Sequence, residues 1–244
     1  MQLVVVQPGQ LFAFTDGDIA SYQKEIADRP LGERIALWAE RFVGTPYDPD
    51  PLGEYVTRKT IVADERVDCM YLSFRAVELA LGRTPDESIA ISLDKRFVHK
   101  GTLDNGVVAN YEDRFQYGED MLDSGKWGKE ITGEIGPLSS IEGSRGRKRV
   151  TIVPKDVLIQ KMRVQSGLAL KSGDFIFFIK APEKRLNDEI VGHIGIIKIE
   201  GETPYLIHAG GRKNRGGEVK KVLFSDYVGT MPFAGIKVGR FLTP

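Results

Sequence analysis

The chain has 244 residues, 41% of them apolar and 28% charged, a mix that suits a soluble globular protein with material for a sizeable core. Lys plus Arg and Asp plus Glu both number 34, so no global field draws the chain to nucleic acid or to an anionic membrane. Cys69 is the one cysteine, which excludes an internal disulfide and leaves a lone thiol that is either packed or reactive.

Met1 to Val6 is apolar, but Gln7, Pro8 and Gly9 end it far short of the roughly 18 residues a membrane-spanning helix needs. It also lacks the basic start of a signal peptide, so residues 1–30 read as an N-terminal extension. Leu31, Ile35, Trp38, Ala39, Phe42 and Val43 recur at helical spacing opposite Glu33, Arg34, Glu40 and Arg41, which predicts an amphipathic helix ending at Gly44. Thr45 to Gly53 holds Pro46, Pro49 and Pro51 and reads as a shaped loop.

Asp68 is a good N-cap, and Cys69 to Leu81 follows without Gly or Pro, so a helix is predicted there with Gly82 as its stop. From Ser88 to Gly143, short apolar pieces alternate with Asn, Asp and Gly, which gives mixed loop and short helix within an insertion spanning about residues 88–150. Glu142 to Arg149 reads as an exposed basic turn before a strand over Val150 to Val153. Strands then follow one another at Phe175 to Ile179, Gly195 to Ile199, Tyr205 to Ala209 and Ile236 to Phe241. Helices first and consecutive strands afterwards predict one α+β domain, with N-terminal helices packed on an antiparallel β-sheet.

A cysteine in the first turn of a helix sits among unpaired N–H groups at the positive end of the helix dipole, which favours thiolate; such thiols titrate as low as about pH 3.5 to 7.5. Of the three histidines, His193 lies in a Gly-His-Ile-Gly run and His208 in an Ile-His-Ala run, fifteen positions apart, a spacing that suits neighbouring strands. A thiol nucleophile needs a base, and the base needs a third group to fix its tautomer; Cys69, His193 and His208 can fill those roles. The same three could instead ligate zinc with an open fourth position, although no tight ligand pair supports a metal and no motif asks for a cofactor.

Gly44-Thr45-Pro46-Tyr47, Asp68-Cys69 opening a helix, Gly173-Asp174-Phe175 and the two histidine runs together resemble the NlpC-type papain-like superfamily. Within it the chain is most similar to the N-acetylmuramoyl-L-alanine amidase-like family, to which Pro51-Leu52-Gly53-Glu54 and the stretch Gly235 to Arg240 also correspond. It departs from that pattern at Met70 and Tyr71, where polar residues are usual, and at Gly210, where Ser is common.

The resemblance implies a papain-like fold, Cys69 as nucleophile, His193 as base and His208 as orienting residue. It also implies a bacterial envelope or periplasmic setting, with peptidoglycan or muropeptide fragments as partner. The scissile bond would be the amide between N-acetylmuramoyl and L-alanine. A D-glutamyl-diamino acid endopeptidase of the same superfamily and a non-catalytic wall-binding module are the alternatives. Tyr47 stands either as a substrate contact or as packing beneath its own prolines. Asp68, Asn110, Tyr111, Asp113 and Arg114 are further candidates near the substrate, and Arg212 opens a basic run that either meets a carboxylate or is a solvated hairpin turn.

Overall fold

The computed structural model describes residues 14–47, 61–163, 167–212 and 216–242. The apolar start of the chain and the stretch from Asp48 through Glu54 lie outside these residues. Two helices come first, α1 (Asp16–Glu25) and α2 (Leu31–Arg41), and then the cysteine helix α3 (Cys69–Leu81) and α4 (Pro85–Lys95). The middle region carries the two-residue strands β1 (Leu103–Asp104) and β2 (Val107–Val108), α5 (Gly118–Asp123), β3 (Lys129–Glu130) and α6 (Thr132–Ile135). The hairpin β4 (Ser139–Glu142) and β5 (Arg149–Pro154) follows, and then α7 (Lys155–Arg163). The last part holds β6 (Phe175–Ile179), β7 (Val191–Glu200), β8 (Thr203–Arg212), β9 (Gly216–Leu223), α8 (Phe224–Thr230) and β10 (Gly235–Arg240).

The main sheet has the order β4-β5-β10-β6-β7-β8-β9, with β3 also paired to β10, and every pairing is antiparallel. The fold class is α+β. Strands β6 to β9 form a meander, and β10 returns to lie beside β6.

Alternation along β6 explains its continuous apolar run. Phe175, Phe177 and Ile179 face one core with Ile35, Trp38 and Phe42 of the α2 segment and Leu72 and Phe74 of α3; Ile176 and Phe178 face a second core with Leu158 of α7 and Phe224 and Val228 of α8. Burying side chains of this size is worth about 1.5–3 kcal/mol each. Sheet and helices are thereby held as layers, with α3 laid across the face that carries β7 and β8.

Two polar features lock the ends of this arrangement. Gly173 has φ +86°, and a Cβ there would lie 2.3 Å from the Gly32 carbonyl oxygen, so the turn into β6 tolerates only glycine. Beside it, fully buried Asp174 accepts from Arg240 Nε at 2.6 Å and Nη2 at 2.7 Å, tying the end of β10 to the start of β6. Beneath α3, Arg75 is bidentate to Asp64 and Arg96 is bidentate to Glu78, while Tyr71 donates its hydroxyl to Asp64 at 2.7 Å. All five of these residues are buried, and Arg96 also donates to the Ile61 carbonyl at 2.6 Å.

Removing one member of such a buried set leaves an uncompensated charge. Glu78→Ala is expected to lower unfolding free energy by about 3–5 kcal/mol, read by urea denaturation. Lys221→Ala breaks only the partly exposed pairs to Glu40 and Glu200, and its cost should be about 1 kcal/mol or less. Equal losses in the two variants would refute the account.

Candidate active site

Cys69 is the first residue of α3, and Asp68 caps it by accepting from Tyr71 N at 2.6 Å, while the Asp68 carbonyl accepts from Leu72 N at 3.0 Å. The cap thus uses the third and fourth helical N–H groups. Those of Cys69 and Met70, joined by the N–H of Ile194 on β7, are directed at the sulfur. Cys69 is half-buried and lines a cleft with Met70, Gln116, Lys180, His193 and Ile194.

His193 and His208 stand on neighbouring strands. His193 Nε2 and His208 Nδ1 are 3.0 Å apart and share one hydrogen bond. When His193 donates in this bond, its Nδ1 carries a bare lone pair, the tautomer a general base requires. A register shift between Phe178 and Ile179 makes a bulge at Gly192, immediately before His193, and a bulge re-aims the side chain beside it. Buried Glu119 holds that segment by accepting from the N–H groups of Ile190 and Val191, each at 3.1 Å.

An aromatic box surrounds the two imidazoles. Phe178 and Phe233 stack on His193 at centroid distances of 5.8 and 6.5 Å, and Tyr227 meets His193 at 6.1 Å and His208 at 4.8 Å. These three rings come from β6, α8 and the turn before β10, so no local sequence signal joins them. The one available clue is the strand register that sets Phe178 opposite His193.

Burial shapes the protonation states. It pushes the Cys69 thiol up to about 12, aided by the Asp68 carboxylate, and this outweighs the three N–H groups that favour thiolate. The expectation of a low thiol pKa is therefore corrected: the residue that caps the helix also opposes the thiolate. Burial and the neighbouring His208 hold His193 down at about 3, and burial with Lys220 across the strand holds His208 at about 4. Burial, with the charge of a Cys69 thiolate, raises the Tyr227 hydroxyl well above the ordinary phenol range. At neutral pH the site rests as thiol and neutral imidazoles.

The other sequence candidates divide. Tyr47 reaches a second cleft on the far side of His193, shared with His208 and Tyr227. A Cβ at Gly211 would lie 2.1 Å from its ring, so glycine there admits the tyrosine. At Gly210, a Cβ would sit 2.9 Å from the His208 ring. Asp68 acts as the helix cap. Asn110 is not brought to the cleft, because its amide accepts from Thr102 N at 2.8 Å and donates to Lys100 O at 2.8 Å. Tyr111 lies under the Arg114 guanidinium, 3.7 Å from its ring centre, and also does not line the Cys69 cleft. Asp113 pairs with exposed His99 at 2.8 Å. Arg212 ends β8 opposite Gly216, and its side chain lies outside the described part of the structure. Among the described residues no three His, Cys, Asp or Glu side chains converge to hold a metal ion.

Solved structures share this architecture. An N-acetylmuramoyl-L-alanine amidase from Bacteroides uniformis is similar at 19% identity and TM-score 0.65, over 87% of this chain and 99% of the other. A Legionella pneumophila protein of the DUF1460 family matches at 16% identity and TM-score 0.69, over 91% and 93%. A Bacteroides fragilis protein provisionally named a xylanase matches at 20% identity and TM-score 0.61, over 83% and 98%. At these identities the likeness shows the fold. No protein-family model and no curated protein matches the chain. No helix among the described residues is long and apolar enough to cross a membrane.

The two lowered histidine pKa values make stability depend on acid. Neutral imidazole is favoured in the fold relative to the unfolded chain, so this contribution is complete above about pH 6.5 and is lost as pH falls toward 4 and then 3. Thermal melts should show Tm falling between pH 7 and pH 4, with a shallower fall in His193→Gln/His208→Asn. Parallel profiles for the variant and the parent would count against buried neutral histidines.

Proposed function

We propose that the chain is a cysteine amidohydrolase with a papain-like, NlpC-type fold that cleaves the amide between N-acetylmuramoyl and L-alanine in peptidoglycan or its soluble fragments. One observation carries the reading. A half-buried thiol at a helix start lines the same cleft as an imidazole whose other nitrogen is engaged, 3.0 Å away, by a second imidazole. The fold shared with the Bacteroides uniformis amidase supports the choice of substrate.

The protonation states imply a concerted first step. As the Cys69 sulfur attacks the lactyl carbonyl carbon, its proton passes to His193 Nδ1, and the imidazolium formed is stabilised through its Nε2–H by His208. The N–H groups of Cys69 and Met70, left open by the Asp68 cap, are donors for the tetrahedral oxyanion, and one such donor is worth about 100- to 1000-fold in rate. Collapse breaks the C–N bond, the alanine nitrogen takes the proton from His193, and a thioester remains on Cys69. Water, deprotonated by His193, then releases the muramoyl carboxylate and restores the thiol.

Mass spectrometry of digested muropeptides should detect free muramoyl sugar together with intact peptide. Products cut between D-glutamate and the diamino acid would replace this reading by the endopeptidase one. Cys69→Ala should abolish release while keeping the parent's circular dichroism. His193→Ala should lose about 100- to 10,000-fold in kcat/KM. His208→Asn should retain more activity than His193→Ala, and the double variant should lose less than the product of the two single losses. A base held near pKa 3 stays neutral in mild acid, so the acid limb of kcat/KM should lie below about pH 5, not at the ordinary histidine value near 6.5.

A further inference from the structure

The Cys69 cleft borders two other hollows. It shares Gly192 and His193 with the cleft of about 510 Å³ that holds Tyr47, and Gln116 and Tyr117 with a groove of about 590 Å³ running along α5. Cys69 and His193 therefore stand between two neighbouring hollows.

The two ends differ in charge. The Tyr47 end presents aromatic rings and glycine backbone, with no Asp, Glu, Lys or Arg among its described lining residues. The α5 end is lined by Arg114, Arg145 and Arg147 together with Asp120 and Asp123. Arg145 is engaged by Glu119 and Asp120, and Arg147 by Asp120 and Asp123. Arg114 differs from both. Among the described residues it has no carboxylate partner; its guanidinium lies 3.7 Å from the centre of the Tyr111 ring and makes one 3.4 Å hydrogen bond, to the Tyr111 carbonyl.

A guanidinium seated on an aromatic face is already ordered, and its planar fork matches a carboxylate in two parallel hydrogen bonds. Because the ordering precedes binding, little of the interaction is spent on it. We infer that Arg114 receives a carboxylate from the acidic peptide of the substrate, lying in the α5 groove, while the uncharged sugar takes the aromatic end and the scissile amide lies between them at Cys69 and His193. The inference rests on the amidase reading for the identity of the ligand.

The test uses two compounds that differ in one group, N-acetylmuramoyl-L-alanyl-D-glutamate and the same molecule with its α-carboxylate replaced by carboxamide. The parent enzyme should prefer the carboxylate form by about tenfold or more in kcat/KM, expressed in KM, since hydrogen bonds to charged groups are that strong. In Arg114→Gln the ratio between the two compounds should fall toward one. Arg114→Lys, which keeps charge but loses the fork, should give an intermediate ratio. A parent ratio near one, or a ratio that survives in Arg114→Gln, would overturn the assignment.

Hydrolysis of neither compound would remove the amidase reading. Calorimetric titration of both into Cys69→Ala would then still decide the role of Arg114. Tighter binding of the carboxylate form, lost in Cys69→Ala/Arg114→Gln, supports it; equal or absent binding refutes it.

Discussion

The hydrogen bond between His193 and His208 depends on strand register, and strand register depends on a sheet that is buried on both faces. Slipping β7 by one residue against β6 or β8 would send every side chain to the opposite face. Ile194 and Ile196 would then leave the core shared with α2 and α3, and His193 would leave the aromatic box for that core. The imidazole pair is thus fixed by many apolar contacts that never touch it. The bulge at Gly192 is the local exception, and it lies where a Cβ would meet the Phe233 ring at 2.7 Å.

Burial also sets the chemical character of the site. A thiolate–imidazolium pair at rest needs surroundings that stabilise two charges, whereas burial disfavours both, with the Asp68 carboxylate opposing the thiolate and His208 opposing a charged His193. In the proposed reaction, charge is therefore created as the bond forms and not stored before it. On that proposal, the N–H groups of the first turn serve the transition state and not the ionisation of the resting sulfur.

Much of this was legible in the chain. Asp68 followed by thirteen residues without Gly or Pro marks α3, and the two ends of that helix coincide with the prediction. The run Phe175 to Ile179 also marks its strand to the residue. By contrast, α1 is polar over most of its length and has few apolar positions to show a period. Strand β9 begins with two glycines and carries Lys220 and Lys221, which masks its strand character, and its outer edge is bonded to the Gly44–Tyr47 segment, a pairing that no local pattern announces. The thiol and the two histidines could be singled out because such residues are scarce here. The box of Phe178, Tyr227 and Phe233 could not, since it exists only once β6, α8 and the turn before β10 have come together.

The cluster of Asp64, Arg75, Glu78 and Arg96 beneath α3 bears on motion as well as on strength. Its charges join the segment after Ile61, the body of α3 and the end of α4, and none can be drawn into water singly without abandoning a partner in a dry interior. Helix α3 therefore has no inexpensive partial opening. Its amide protons should exchange with solvent only through the largest openings of the molecule, on the slow timescale of global unfolding, while those of exposed turns such as Gly201 exchange early. The Cys69 sulfur is carried on one of the least yielding parts of the chain.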